Sequence, residues 1–141
     1  MSVEVRNFVR RRYFTSVFIL RTADRILKLL GLKGRRLEIV LVGEKKMRAL
    51  NKKFLKRAYP ATILAFRANS DFVSYEPFLG EIYLCPKSIK KRATSRAGLS
   101  RELTILLIHG ILHLVGEDHE TPAGFLHMQR RERKILSKFF K

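Results

Sequence analysis

The sequence predicts an α+β domain, a small mixed β-sheet packed with about five helices around a buried central helix that carries His109 and His113. Three observations carry that expectation. Short β-type runs such as LEIVLV (37–42) and GEIYLC (80–85) are interleaved with longer stretches of helical period, without a strict strand–helix alternation. The segment LTILLIHGILHLVG is apolar on nearly every side, as a helix enclosed by its neighbours is. The 141 residues, 46% of them apolar, fit one packed core, and no repeat, low-complexity tract or Pro/Gly-rich linker divides 1–141 into two domains.

Along the chain, residues 3–9 alternate loosely and predict a strand. Residues 13–30 place Phe14, Val17, Phe18, Leu20, Ile26, Leu27 and Leu30 at helical spacing, and Gly31 supplies a stop. After the β run at 37–42, residues 44–55 return to the helical period through Met47, Leu50 and Phe54. Residues 61–66 are strand-like, 72–75 fit neither period, and 80–85 form a clearer strand. Pro86, suited to a first helical position, opens a basic helix to about Arg96. Ser100 reads as the cap of the apolar helix 101–115, which Gly116 ends. Pro122 begins a last amphipathic helix through Phe125, Met128, Ile135, Leu136 and Phe139.

Composition narrows the class. No window approaches 18 consecutive apolar residues, so no transmembrane helix is expected. The N-terminal apolar run is broken by charges and by Thr15 and Ser16, unlike a signal peptide. The single cysteine, Cys85, excludes an internal disulfide and points to a reducing, cytoplasmic setting; it reads as a buried strand residue rather than a ligand. Thirty Lys and Arg against twelve Asp and Glu give a net charge of +18 and a pI near 10.8. The excess lies at 6–12, 45–57, 87–101 and 130–141, and three of these stretches read as helical. Such an excess repels itself unless a polyanion neutralises it, so a nucleic acid is the expected partner. An anionic membrane fits less well, because no segment joins a strong apolar face to a purely basic one. Charge does not separate RNA from DNA.

The chemistry concentrates in HGILHLVGEDH (109–119). His109 and His113, four residues apart, lie on one helical face, one turn above the other. Gly116 ends the helix and lets the chain turn back, so that His119 can return as a third ligand. Three imidazoles leave a fourth tetrahedral position open, the arrangement of a catalytic zinc site, though nickel or copper would also suit them. A single histidine on an apolar helix is usually a satisfied core residue; this spacing of three is not that pattern. It matches the metzincin protease pattern H-E-x-x-H-x-x-G-x-x-H except at its second position, where Gly110 stands in place of the glutamate base. His127 reads as part of the polar face of the last helix.

HGILHLVGEDH closely resembles the H-G-x-L-H-L-x-G-Y-D-H signature of the YbeY family of metal-dependent endoribonucleases. Further matches are Leu50-Asn51 to the family's LN pair, PATILAF (60–66) to PTDVLSF, and LGEIYLC (79–85) to LGDIVIC, with Met128, Glu132 and Ile135-Leu136 similar to the family's final helix. The resemblance covers most of the chain from about Leu37 onward. It implies an α+β fold and one zinc ion on His109, His113 and His119. It also implies action in ribosomal RNA maturation, at the 3′ end of the small-subunit RNA, and in ribosome quality control, with ribosomal RNA and small-subunit ribosomal proteins as partners. The chain departs from the family at Glu117 (tyrosine), Ala61 (threonine), Ala65 (serine) and Leu55, which aligns with an arginine assigned to the RNA phosphate. Lys56 or Arg57 is then the candidate substitute, although lysine lacks the planar bidentate fork of arginine. Asp118 is a candidate general base or orienter of a ligand histidine, and equally a turn-capping aspartate. Two other readings stay open: a metal-stabilised rRNA-binding assembly factor with little hydrolytic activity, and a zinc peptidase that recruits its base from elsewhere.

Overall fold

The structure, a computed structural model, describes residues 3–10, 14–55, 62–68, 78–93, 95–116 and 121–140. Its elements are β1 (Val3–Asn7), α1 (Ser16–Leu29), β2 (Arg36–Leu41), α2 (Glu44–Leu55), β3 (Ile63–Arg67), β4 (Phe78–Leu84), α3 (Pro86–Arg92), α4 (Arg96–Leu114) and α5 (Pro122–Leu136). The four strands form one sheet in the order β1-β2-β4-β3, with β1, β2 and β4 parallel and β3 antiparallel to β4. A mixed sheet with five helices is therefore what the described residues contain. None of their helices is long and apolar enough to cross a membrane.

Strand β2 explains why LEIVLV is apolar apart from Glu38. Leu37, Ile39 and Leu41 face the main core, shared with Ile19, Ala23, Ile26 and Leu27 of α1 and with Leu103, Leu107 and Ile111 of α4. Val40, with Val42 just beyond the strand, faces the other way, into a smaller cluster with Met47 of α2, Leu64 and Cys85. Covered on both faces from Ile39 onward, the strand is continuously apolar there, while Glu38 near its start pairs with Arg6 at 3.3 Å. Cys85 is fully buried, as a strand-end residue rather than a ligand, and accepts a hydrogen bond from Ser88 Oγ at 3.3 Å.

Several boundaries differ from the sequence reading. Ser100 does not cap the central helix. Ser95 does, its Oγ accepting from Gly98 N at 3.0 Å, while the Ser100 carbonyl accepts from Thr104 Oγ1 one turn inside α4. The first turn of α4, Arg96-Ala97-Gly98-Leu99, holds a single large apolar side chain, so its apolar period shows only further along the helix. For the same reason the basic helix α3 stops at Arg92, where Ala93 is extended, and does not reach Arg96. Strand β1 stops at Asn7, whose side chain turns the chain by accepting from Val9 N at 2.8 Å. Helix α1 starts at Ser16, with Thr15 Oγ1 accepting from Phe18 N at 3.1 Å. Strand β4 begins at Phe78, ahead of a register shift against β2. There Gly80, at φ +144°, pairs with Leu37 on one side and Arg67 on the other, and a Cβ on it would run into the Phe66 carbonyl oxygen. Residues 72–75, which fit neither period, lie outside the described residues.

Candidate metal centre

Helix α4 is the buried centre of the molecule, with Leu103, Leu107, Ile108, Ile111 and Leu112 nearly or fully inaccessible. Its Gly110 sets how closely it sits on the sheet. A Cβ there would lie 2.9 Å from Ile63 Cδ1 and 3.1 Å from Ile82 Cδ1, so the glycine lets the helix backbone press against β3 and β4. The position that carries a base in the metzincin pattern is thus turned into the sheet, and a glutamate there would be driven into two isoleucines. That leaves no room for a protease-type base on this turn.

His109 and His113 emerge half-buried from the same helix. Their Nε2 atoms are 3.0 Å apart, and the rings stand edge to face with centroids 4.5 Å apart. Two bare lone pairs at that separation repel, so a proton or a cation belongs between them. Two nitrogens bound to one tetrahedral zinc are about 3.3 Å apart, given zinc–nitrogen bonds of about 2.0–2.1 Å. The pair therefore fits a shared zinc-sized ion with a few tenths of an ångström of adjustment. On its other side, His109 Nδ1 is 2.6 Å from Glu132 Oε1 of α5. An ionised carboxylate only accepts, so the proton of that bond sits on Nδ1, and a neutral His109 ring then presents its lone pair at Nε2. A carboxylate behind a ligating imidazole fixes both tautomer and ring angle.

Glu132 was seen in the sequence only as part of the final-helix resemblance, not as a histidine partner. A signal was present: it is the one acidic residue of α5, set in the basic run RRERK. Of the other expected site residues, His119, Asp118, Lys56, Arg57, Ala61 and Glu117 lie outside the described residues, and Leu55 is the last residue of α2. Among the described residues no group of three or more His, Cys, Asp or Glu side chains is placed to hold one ion. Glu132 does not make a third because it approaches the Nδ1 side of His109. His127 is exposed on α5, in keeping with a polar-face position.

Strand β3 brings a further cation. Ile63, Ala65 and Arg67 share the face turned to α4, since strand side chains alternate and Ile63 touches Gly110. The exposed Arg67 guanidinium nitrogens lie 3.4 Å from where a Cβ of Gly116 would be. Gly116 lies just past the end of α4, at φ +94°, so Arg67 stands beside the C-terminal end of the helix that carries both histidines. Ala65, midway along the strand, is partly buried against the main core.

A family model described as endoribonuclease YbeY matches residues 11–140. The chain belongs to the YbeY family. Curated relatives named endoribonuclease YbeY include those of Geobacter metallireducens, 31% identical over 97% of this chain and 95% of its own length, and Sulfurovum sp., 32% identical over 77% and 76%. That of Wigglesworthia glossinidia brevipalpis is 36% identical over 76% of this chain and 72% of its own. The solution structure of a Thermotoga maritima protein covers 96% of this chain and 91% of its own at a TM-score of 0.58 and 23% identity, a likeness of fold. YbeY membership supports nuclease activity in general, and the helix with the paired histidines lies within the matched span.

Proposed function

We propose that this YbeY protein is a single-domain, zinc-dependent endoribonuclease of the cytoplasm, acting in ribosomal RNA maturation, at the 3′ end of the small-subunit RNA, and in ribosome quality control. One observation carries the reading: two Nε2 atoms 3.0 Å apart on one rigid helix, with Glu132 behind the first of them. His109, His113 and His119 would hold the ion, which when bound supplies Lewis acidity at a scissile phosphodiester. The chain's own groups do the rest. Glu132 keeps the proton at His109 Nδ1, and Arg67, with Lys56 and Arg57, offers cations for the flanking phosphates. Asp118 is placed by sequence to orient a ligand histidine or take up a proton. The net charge of +18 supports a polyanionic substrate, ribosomal RNA with its small-subunit proteins nearby. Gly110, pressed on Ile63 and Ile82, weighs against the peptidase reading. Ala65, without a hydroxyl on the face turned to α4, favours the RNA-binding assembly factor as the second reading.

Elemental analysis paired with cleavage of structured ribosomal RNA tests the proposal. The purified protein should hold about one zinc per chain, and His113→Ala should lose both metal and cleavage. Cleavage by His113→Ala equal to that of the wild type defeats the metal-nuclease reading. Metal bound without cleavage selects the assembly factor.

A further inference from the structure

Beside His109, between α4 and α5, is a cavity of about 230 Å³, lined among the described residues by His109, Phe125, Met128, Gln129 and Glu132. The four α5 residues are spaced i, i+3, i+4 and i+7, so they form one stripe of that helix, and the stripe ends on the carboxylate bonded to His109. Its parts differ in character. Met128 is a buried apolar floor, whereas Phe125 is 48% exposed. Gln129 brings an amide, which both donates and accepts, one turn from that ring. An aromatic face, an apolar floor and one amide are what a flat heteroaromatic ring with polar edges requires. Next to the stripe, Arg133 lines the adjoining groove with Gln129 and Glu132, a cation suited to a phosphate beside such a ring.

We propose that this cavity is a nucleobase subsite of the RNA-binding face. Phe125 stacks on one unpaired base, Gln129 bonds its edge, and the adjoining phosphate is thereby set beside the His109–His113 pair. The inference rests on the nuclease reading and deepens it, because it names the α5 side chains that would hold one base beside the paired histidines. A base held in a helix cannot leave its neighbours to lie on Phe125, whereas one in a loop, bulge or end can.

The test is binding of full-length protein to short, non-cleavable 2′-O-methyl oligonucleotides, with or without one abasic position, read by fluorescence anisotropy. It needs no metal and no turnover. Phe125→Leu should weaken binding of the fully based oligonucleotide about ten-fold, whereas Phe125→Tyr keeps the affinity. The leucine variant should lose much less on the abasic oligonucleotide, since there is one base fewer to stack. Gln129→Leu should change the ranking of oligonucleotides of different base composition. Phe125 is half exposed, and thermal unfolding of each variant checks that the fold is unchanged. If Phe125→Leu binds based and abasic oligonucleotides as the wild type does, while the wild type binds and cleaves RNA, the subsite is overturned and the nuclease reading stands. A wild type that neither binds nor cleaves RNA removes the nuclease reading itself, and the subsite with it.

Discussion

The contact between Glu132 and His109 predicts a separation of metal affinity from stability. At 2.6 Å it is a short, charge-assisted hydrogen bond, yet the His109 and Glu132 side chains are 37% and 26% exposed. In that setting the pair itself adds only about 0–1 kcal/mol to folding. Its effect on metal binding is larger, because without the carboxylate His109 can rotate or hold its proton on Nε2 and block the donor. Loss of such a partner lowers metal affinity about 10–100-fold, equivalent to about 1.4–2.7 kcal/mol. Glu132→Ala should fall near the upper end. Glu132→Gln, which keeps an acceptor oxygen but no charge, should fall near the lower. Competition against a chromophoric chelator measures the dissociation constant, and urea unfolding of the metal-free variants measures stability. Unchanged zinc affinity in Glu132→Ala would refute the reasoning, and so would a loss of affinity matched by an equal loss of metal-free stability.

Other consequences follow from named contacts. Gly110→Glu forces a carboxylate against Ile63 and Ile82 and should cost at least about 3 kcal/mol in urea unfolding, without creating peptidase activity. Gly110→Ala should stay within about 2 kcal/mol of the wild type, since the helix gain of about 1 kcal/mol opposes the overpacking. Arg67→Ala should make the salt dependence of single-stranded RNA binding shallower by about 0.7 in the log–log slope, the share of one phosphate contact; an unchanged slope removes Arg67 from the phosphate-binding set. Glu44 bonds Lys91 at 2.9 Å and Lys87 at 3.1 Å, and these hold its carboxyl below the ordinary value of 4.5. A depressed carboxyl contributes stability above that value and loses it as pH falls through its own lower one. Glu44→Gln should therefore be less stable than the wild type near neutrality, and the two should converge in acid, as paired urea midpoints will show.

How much of this was legible in the sequence depends on the range of each interaction. The paired histidines were legible because a four-residue spacing on an apolar helix is local information, and the buried helix was legible because it lacks a polar face. Glu132 was not legible as a partner, since it reaches His109 across 23 residues and in RRERK looks like one more surface charge. Gly110 was read only as a missing base; its contact with Ile63 and Ile82 shows that it sets the spacing of helix and sheet. The cap at Ser95 was missed because the first turn, with Gly98 in it and Leu99 as its one large apolar residue, shows no apolar period of its own. Strand existence followed from composition. The order β1-β2-β4-β3 and the reversal of β3 did not, because they depend on pairings between distant segments.

Gly80 has a consequence that reaches beyond its own strand. Opposite Arg67 in the ladder, it is also where β4, the Phe66 carbonyl and Leu114 at the end of α4 crowd together, with Leu114 Cδ2 2.9 Å from a would-be Cβ. Strand side chains alternate, so a slip of β3 by one residue would send Arg67 to the opposite face and bring Phe66 or Ala68 round in its place. A residue with no side chain acts here as a phase marker for its neighbour. In the observed alignment Gly80 makes room for the Phe66 carbonyl and Leu114, and with that alignment goes the side of the sheet on which Arg67 stands.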